Sequence, residues 1–138
     1  MNFSQPTFQN VKCAWLLLKV TYGLLFIAAG ADKFMNIITQ WDKYLSPMVL
    51  ENLPVNPTTF MQIIGVAEIL LGLTILFVCS RLGGYIAMAW LLIISVNLLA
   101  MGTLYRDIAV RDIVMAIGAL ALARLTAAHE SINQVTKR

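Results

Sequence analysis

The chain has 138 residues, of which 59% are hydrophobic and only 12% are charged, and its formal net charge is +3. A soluble domain carries about 25% charged residues, so a surface that faces water on all sides is excluded and lipid is the expected solvent. The basic residues are scattered and are not interleaved with aromatic residues, which argues against a nucleic-acid partner. The length predicts a single domain, residues 1–138.

Four apolar segments follow one another along the chain, at about residues 12–31, 57–79, 83–102 and 108–127. Each has the length that a helix needs to cross a hydrocarbon core about 30 Å thick, and a helix satisfies its own backbone hydrogen bonds in lipid. Asn56 is placed to cap the second segment, and Pro57 suits its first turn. The short connections after the second and third segments make neighbouring helices antiparallel. The sequence therefore predicts an all-α fold, an integral membrane up-down four-helix bundle.

The long connection, residues 32–56, carries an apolar pattern of its own. Apolar residues recur in it at helical spacing, at Ile37, Trp41, Tyr44, Leu45 and Met48. Trp and Tyr are enriched at the headgroup level of membranes. We therefore predict a short interfacial helix that contains Trp41 and Tyr44 and ends at Pro47 or soon after. The alternative is an irregular loop packed on the mouth of the bundle.

The orientation in the membrane follows from basic residues near the ends of the segments. The end that holds both termini carries Lys12, Arg81, Lys137 and Arg138, with Arg124 near it. The other end carries Lys33, Lys43, Arg106 and Arg111. The two counts are nearly equal, and we expect the termini to be cytoplasmic in a bacterial-type inner membrane.

Glu68 lies near the middle of the second segment, where a charge costs about 2.5–3.5 kcal/mol on insertion scales, and it is therefore a candidate for function. Gly65 and Gly72 share its helix face, and small residues admit a neighbouring helix, so Glu68 is predicted to point into the bundle. On the first segment, Lys19 and Lys33 lie on one stripe with two glycines.

Depth along the helices assigns partners to Glu68. Counted from the terminal end, Glu68 is about 16 Å deep, Lys19 about 10 Å and Lys33 about 31 Å. Lys19 is thus within reach of Glu68, whereas contact between Lys33 and Glu68 is expected to need a bend or a water molecule. We predict a polar cleft that runs from Glu68 to the side of the long connection. Its candidate ligand- or partner-binding residues are Glu68, Lys33, Asn97, Asp112, Arg111 and Lys19. The alternative is a polar network that only holds the helices together.

Redox, haem and metal chemistry have little support in the sequence. Cys13 and Cys79 are far apart and form no CxxC pair, and His129 is the single histidine. We predict no catalytic residues, no metal site and no cofactor belonging to this chain, although a quinone or lipid remains possible as a ligand.

Three motifs resemble those of DoxX-type membrane proteins. The run from Gly23 to Phe34 contains Gly30-Ala-Asp-Lys33, the run from Val66 to Gly72 contains Glu68, and Arg111-Asp112 opens a fourth segment rich in small residues. The resemblance implies a four-helix bundle that associates with larger membrane assemblies, in some members quinone-linked oxidoreductases. It transfers no chemistry, and the long connection with Trp41 and Tyr44 departs from it.

The first functional hypothesis is therefore a non-catalytic accessory or assembly subunit of a larger membrane complex, possibly a respiratory one, with lipid and other membrane subunits as partners. The second is a protein that binds quinone or lipid in the cleft around Glu68. The third, a proton or solute carrier, has less support because internal repeats and interrupted helices are not visible in the sequence.

Overall fold

A computed structural model describes residues 5–136 of the chain, with side chains described from residue 9 to residue 135. This part of the chain is helical and contains no strand. The α-helices are α1 (Gln5–Met35), α2 (Pro47–Glu51), α3 (Pro57–Leu73), α4 (Ser80–Ala100) and α5 (Arg106–Thr136). A π-helical segment, Thr74–Val78, continues α3, and 3₁₀ turns at Trp41–Tyr44 and Thr103–Tyr105 precede α2 and α5.

Local signals in the sequence begin and end these helices. The Asn56 side chain accepts a hydrogen bond from the Thr59 backbone N–H at 2.7 Å, and Pro57 occupies the first turn of α3, as predicted. Cys79 is extended, with φ −150°, and so separates the end of the π-helical segment from α4. Gly102 follows the end of α4 with φ +100°, a conformation that only glycine adopts at low cost.

The four long helices lie antiparallel to their neighbours. A Cβ atom on Gly30 of α1 would lie 2.5 Å from the Gly65 carbonyl oxygen of α3, and one on Gly72 would lie 2.6 Å from the Gly23 oxygen. Gly84 brings α4 close to α5 in the same way, since a Cβ atom on it would lie 3.0 Å from the Ala119 oxygen. The small residues thus let backbones approach at the two closest interfaces, between α1 and α3 and between α4 and α5.

Larger side chains join these two helix pairs into one core. The core residues include Tyr22, Phe26, Ile75 and Leu122, all buried. The Tyr22 hydroxyl donates to the Met115 carbonyl at 2.5 Å and so links α1 to α5. Burial of these side chains stabilises the packing of one helix pair against the other, which the close backbone contacts within each pair do not provide.

Within residues 5–136, three helices are long and apolar enough to cross a membrane: Gln9–Met35, Pro57–Val78 and Ser80–Ala100. The fourth predicted crossing lies in α5, which is not among them. Charged residues are spread along α5, at Arg106, Asp107, Arg111, Asp112, Arg124 and Glu130. The helix itself is present, and both α1 and α5 extend beyond the apolar segments predicted for them.

The long connection differs from the single amphipathic helix that the spacing predicts. Asn36 has φ +50°, and the Asp32 carboxylate accepts hydrogen bonds from the backbone N–H groups of Ile37 and Ile38, which ends α1. Only a 3₁₀ turn follows, at Trp41–Tyr44, and Pro47 begins α2 instead of ending a helix. Pro suits a first helical turn because its missing N–H is not needed there.

Candidate polar site at the centre of the bundle

Lys33 and Glu68 form a buried ion pair between α1 and α3. The Lys33 Nζ–H donates to Glu68 Oε2 at 2.5 Å, and each side chain is only 4% exposed. A Cβ atom on Gly65 would lie 3.1 Å from the Lys33 Cβ, so the glycine leaves room for the lysine stem beside α3. The expectation that this contact needs a bend or a water molecule is therefore wrong.

Two indole rings complete the surroundings of the ion pair. The Trp90 Nε1–H of α4 donates to Glu68 Oε1 over 3.3 Å. The Lys33 ammonium nitrogen lies 3.8 Å from the centroid of the Trp41 ring, which places a cation–π contact on the side of the long connection. Each charge thus has a second polar or aromatic neighbour, as a buried pair requires if it is not to be costly.

Asp112 of α5 is the third ionisable side chain at this centre. It is 8% exposed, and its strongest electrostatic interactions are with Glu68 and Lys33. Among the described residues it forms no hydrogen bond or ion pair of its own. A buried carboxyl group without a donor is a ready acceptor for a water molecule or for a polar group of a ligand.

Asp32 organises the connection above the ion pair, and sequence reasoning missed it. Besides the two backbone N–H groups at its Oδ1, its Oδ2 accepts from the Trp41 Nε1–H at 2.7 Å. Asp32 therefore holds the ring that covers Lys33. An acidic residue next to Lys33 at the end of an apolar run was the available signal, because short acidic side chains commonly bond to nearby backbone N–H groups.

A small cavity opens at the same end of the bundle. Its volume is about 230 Å³, enough for a few water molecules or a small polar headgroup. The residues that line it are Lys33, Asn36, Gln40, Asp42, Thr58 and Met61. Lys33 is thus shared between the ion pair and the cavity, which lies on the side of the long connection. Of the residues predicted to line a cleft, Lys33 lines this cavity, and Glu68, Asn97 and Asp112 do not.

Asn97 has a different place from the one predicted. Its amide donates to the Tyr44 carbonyl at 2.6 Å, and its carbonyl accepts from the Ser46 N–H at 3.1 Å. It fastens the connection to α4 and does not line the cavity. Tyr44 also packs edge-on against Tyr105, so Tyr44 and Trp41 face the bundle mouth, in agreement with the alternative of a packed loop.

Two further candidates lie away from the centre. Arg111 is exposed and pairs at 3.5 Å with Asp107 on the surface of α5. Lys19 lies over the Trp15 ring at the opposite end, 5.0 Å from its centroid, so the predicted contact between Lys19 and Glu68 is wrong. Trp15 in turn donates to Thr126 and stacks on His129, a contact that joins α1 to α5 and that the sequence did not reveal.

The described part of the chain holds no group of three or more His, Cys, Asp or Glu residues placed to bind a metal ion. The prediction that the chain has no cofactor of its own is not tested by this. No protein-family model, curated protein or solved structure matches the chain.

Proposed function

We propose that this chain is an integral membrane protein in which all four long helices cross the bilayer. The distribution of polarity carries the proposal: large apolar side chains are exposed on every long helix, whereas the Lys33–Glu68 pair is buried between them. A protein that folds in water places its ion pairs mainly outside.

The exposed face of α5 supports a fourth crossing despite the charges of that helix. Val110, Val114 and Ile117 are 57%, 62% and 63% exposed, and their spacing of four and three residues puts them on one face. Asp112 lies on the opposite, buried side, while Arg106, Asp107 and Arg111 occupy the first turns, near the bilayer surface. An outward apolar stripe and an inward acid suit a helix that faces lipid.

We further propose that the protein is a DoxX-like, non-catalytic accessory or assembly subunit of a larger membrane complex. A quinone-linked respiratory complex is one example of such a partner. The resemblance in sequence falls on residues that meet in space, since Gly30 packs against Ile69 and Lys33 pairs with Glu68. The paired charges favour a stabilising role for this centre over a carrier role for Glu68. The bundle also leaves wide apolar faces on its outside for neighbouring subunits.

Purification of the tagged full chain in a mild detergent tests the accessory role. We expect a reproducible and stoichiometric set of membrane subunits to accompany the chain, and to be lost in a harsh detergent. A lone polypeptide after mild extraction contradicts the accessory role. Membrane integration is measured separately, as resistance of the chain to alkaline extraction from membranes.

A second candidate function, the binding of a quinone or lipid headgroup, is favoured by the cavity beside Lys33. Its amide and hydroxyl side chains offer hydrogen bonds to a neutral polar ligand, and Met61 offers an apolar contact. Native mass spectrometry of the full chain is expected to find a retained lipophile that is lost in Gln40→Leu/Thr58→Val. Thr103→Val, an exposed position outside the cavity, is the matched control, and wild-type chain without any lipophile contradicts this function.

A further inference from the structure

The two ends of the bundle differ in charge. At the terminal end, where α1 begins, α4 begins and α5 ends, the described residues include four basic side chains and one acidic side chain. These are Lys12, Lys19, Arg81, Arg124 and Glu130. At the end of the long connection and in the polar centre below it, acidic residues outnumber basic ones. These are Asp32, Asp42, Glu51, Glu68, Asp107 and Asp112 against Lys33, Lys43, Arg106 and Arg111.

The structure also removes one basic residue from the surface of the connection end. Lys33 is buried and paired with Glu68, whereas Arg111 and its partner Asp107 are both exposed. Lys33 is therefore not a cation available to the membrane surface. The exposed charges of the connection end are Lys43, Arg106 and Arg111 together with Asp42, Glu51 and Asp107.

Three basic residues of the terminal end, Lys19, Arg81 and Arg124, lie in one layer across the bundle, and Lys12 lies about 10 Å further out along α1. Lys19 lies over Trp15, Trp15 bonds Thr126, and Arg124 is half a turn before Thr126 on α5. Arg81 is the second residue of α4, and Gly84, almost one turn later, packs against Ala123, the neighbour of Arg124. Lys12, Arg81 and Arg124 are exposed, and none of them forms an ion pair within the described chain.

The position of this layer matches that of a headgroup region. The residues from Lys19 to the end of α1 at Met35 rise about 24 Å, and a hydrocarbon core is about 30 Å thick. When the long connection lies at one surface of the bilayer, the basic layer is within side-chain reach of the other surface. Lys and Arg extend their charged ends toward headgroups in such positions.

We propose that the cationic belt, defined as Lys12, Lys19, Arg81 and Arg124, binds anionic phospholipid headgroups of one leaflet. The proposal rests on the membrane crossings proposed above. Phosphate-bearing headgroups with a net negative charge complement four basic side chains that have almost no acidic neighbours. The connection end offers such headgroups no equivalent surface, because its exposed carboxylates equal its exposed basic side chains in number.

Lipid selectivity of the reconstituted full chain tests the belt. The measurement is the association of spin-labelled phosphatidylglycerol relative to spin-labelled phosphatidylcholine with the chain in phosphatidylcholine vesicles. At about 1 kcal/mol for each basic residue near a lipid, wild type should prefer phosphatidylglycerol about fivefold. The preference should fall by about half or more in Lys12→Gln/Arg81→Gln/Arg124→Gln, which keeps Lys19, and should fall at high salt. Lys19 is left unchanged because its ammonium group lies over the Trp15 ring.

The matched control is Lys43→Gln/Arg106→Gln/Arg111→Gln, which removes the same charge at the connection end. It should keep the wild-type preference, and both variants should keep the wild-type melting temperature in phosphatidylcholine. The proposal is overturned if all three proteins prefer phosphatidylglycerol equally, or if both variants lose this preference to the same extent. Failure of wild type to enter vesicles overturns the membrane crossings themselves, so the two failures are distinguishable.

Discussion

The geometry of Lys33 and Glu68 follows from the direction in which helical side chains leave the backbone. Each Cα–Cβ bond on a helix tilts toward the N-terminus of that helix. Because α1 and α3 are antiparallel, the Lys33 stem tilts toward the middle of the bundle, and the Glu68 stem tilts toward the connection end. Lys33 lies opposite Gly65, about 4.5 Å along α3 from Glu68, so the two converging side chains meet at 2.5 Å.

Removing one member of this pair is expected to cost more than removing both. Lys33→Met or Glu68→Gln leaves an unmatched buried group and should lower the free energy of unfolding by about 3–5 kcal/mol. The double variant Lys33→Met/Glu68→Gln should lower the free energy of unfolding by less than the sum of the two single variants, because no buried charge is then left without a partner. Reversible unfolding in mixed micelles measures the three values.

The surface pair Arg111–Asp107 provides the control for this cycle. Both side chains are exposed, so Arg111→Gln should cost no more than about 0.5 kcal/mol. Additive effects of Lys33→Met and Glu68→Gln would mean that the two charges do not stabilise each other.

Among elements, the interface of α1 with α3 depends on glycine more than on large side chains. Gly30 and Gly65 face each other, and a methyl group at either would meet the backbone of the other helix. Backbone atoms cannot move aside as a flexible side chain does, so the helices must separate.

Gly30→Ala is accordingly expected to lower the free energy of unfolding by about 1–3 kcal/mol, the usual range for overpacking. Ala28→Leu enlarges an exposed position two residues away on the same helix and should be nearly neutral. Unfolding of both variants in micelles measures the difference. Equal stability of Gly30→Ala and wild type would show that the close approach is not required.

The long connection is held by side chains from other elements, chiefly Asn97. Asn97→Ala removes both hydrogen bonds to the backbone of Tyr44 and Ser46. Amide hydrogen exchange should therefore become faster across residues 41–46 and remain unchanged in α3. Asn52→Ala, which removes an exposed bond to Met48 within the connection, should leave exchange at residues 41–46 as in wild type.

For the whole molecule, the number of basic residues toward each end predicts an orientation. The terminal end has six basic residues in the sequence, since the structure places Lys19 there, and the connection end has four. Membrane proteins keep basic residues on the cytoplasmic side, so the terminal end should be cytoplasmic. The matched variants are Gln9→Cys and Gln40→Cys, each in a chain with Cys13→Ala and Cys79→Ala. Gln9 and Gln40 are both exposed, at opposite ends.

A membrane-impermeant maleimide added to spheroplasts should modify Gln40→Cys at once. Gln9→Cys should react only after the membrane is opened. The reverse pattern contradicts the proposed orientation, and modification of both from outside contradicts an arrangement in which α1 crosses the membrane.

The sequence predicted the long helices and the inward position of Glu68 because hydrophobic length and a lone acid in an apolar run are local signals. It placed Lys33 too far from Glu68, because a count of residues along each helix carries no information on the register between helices. The role of Asn97 escaped prediction for the same reason, since its partners lie 51 and 53 residues away. Whether α5 crosses the bilayer depends on whether its charged side chains face the interior of the bundle or the lipid. Amino-acid composition alone does not give that direction.

The contact of Trp15 with Thr126 and His129 means that the helices could be connected in a different order along the chain. It brings α1 and α5 together at the end where one begins and the other finishes, so a linker can join them without passing through the bundle. A circular permutant opened at Gly102, where an added side chain meets no atom within 4 Å, would keep every interhelical contact described above. Its new ends would emerge between α4 and α5 at the connection end, so a fused reporter would sit on the opposite face of the membrane from the original ends.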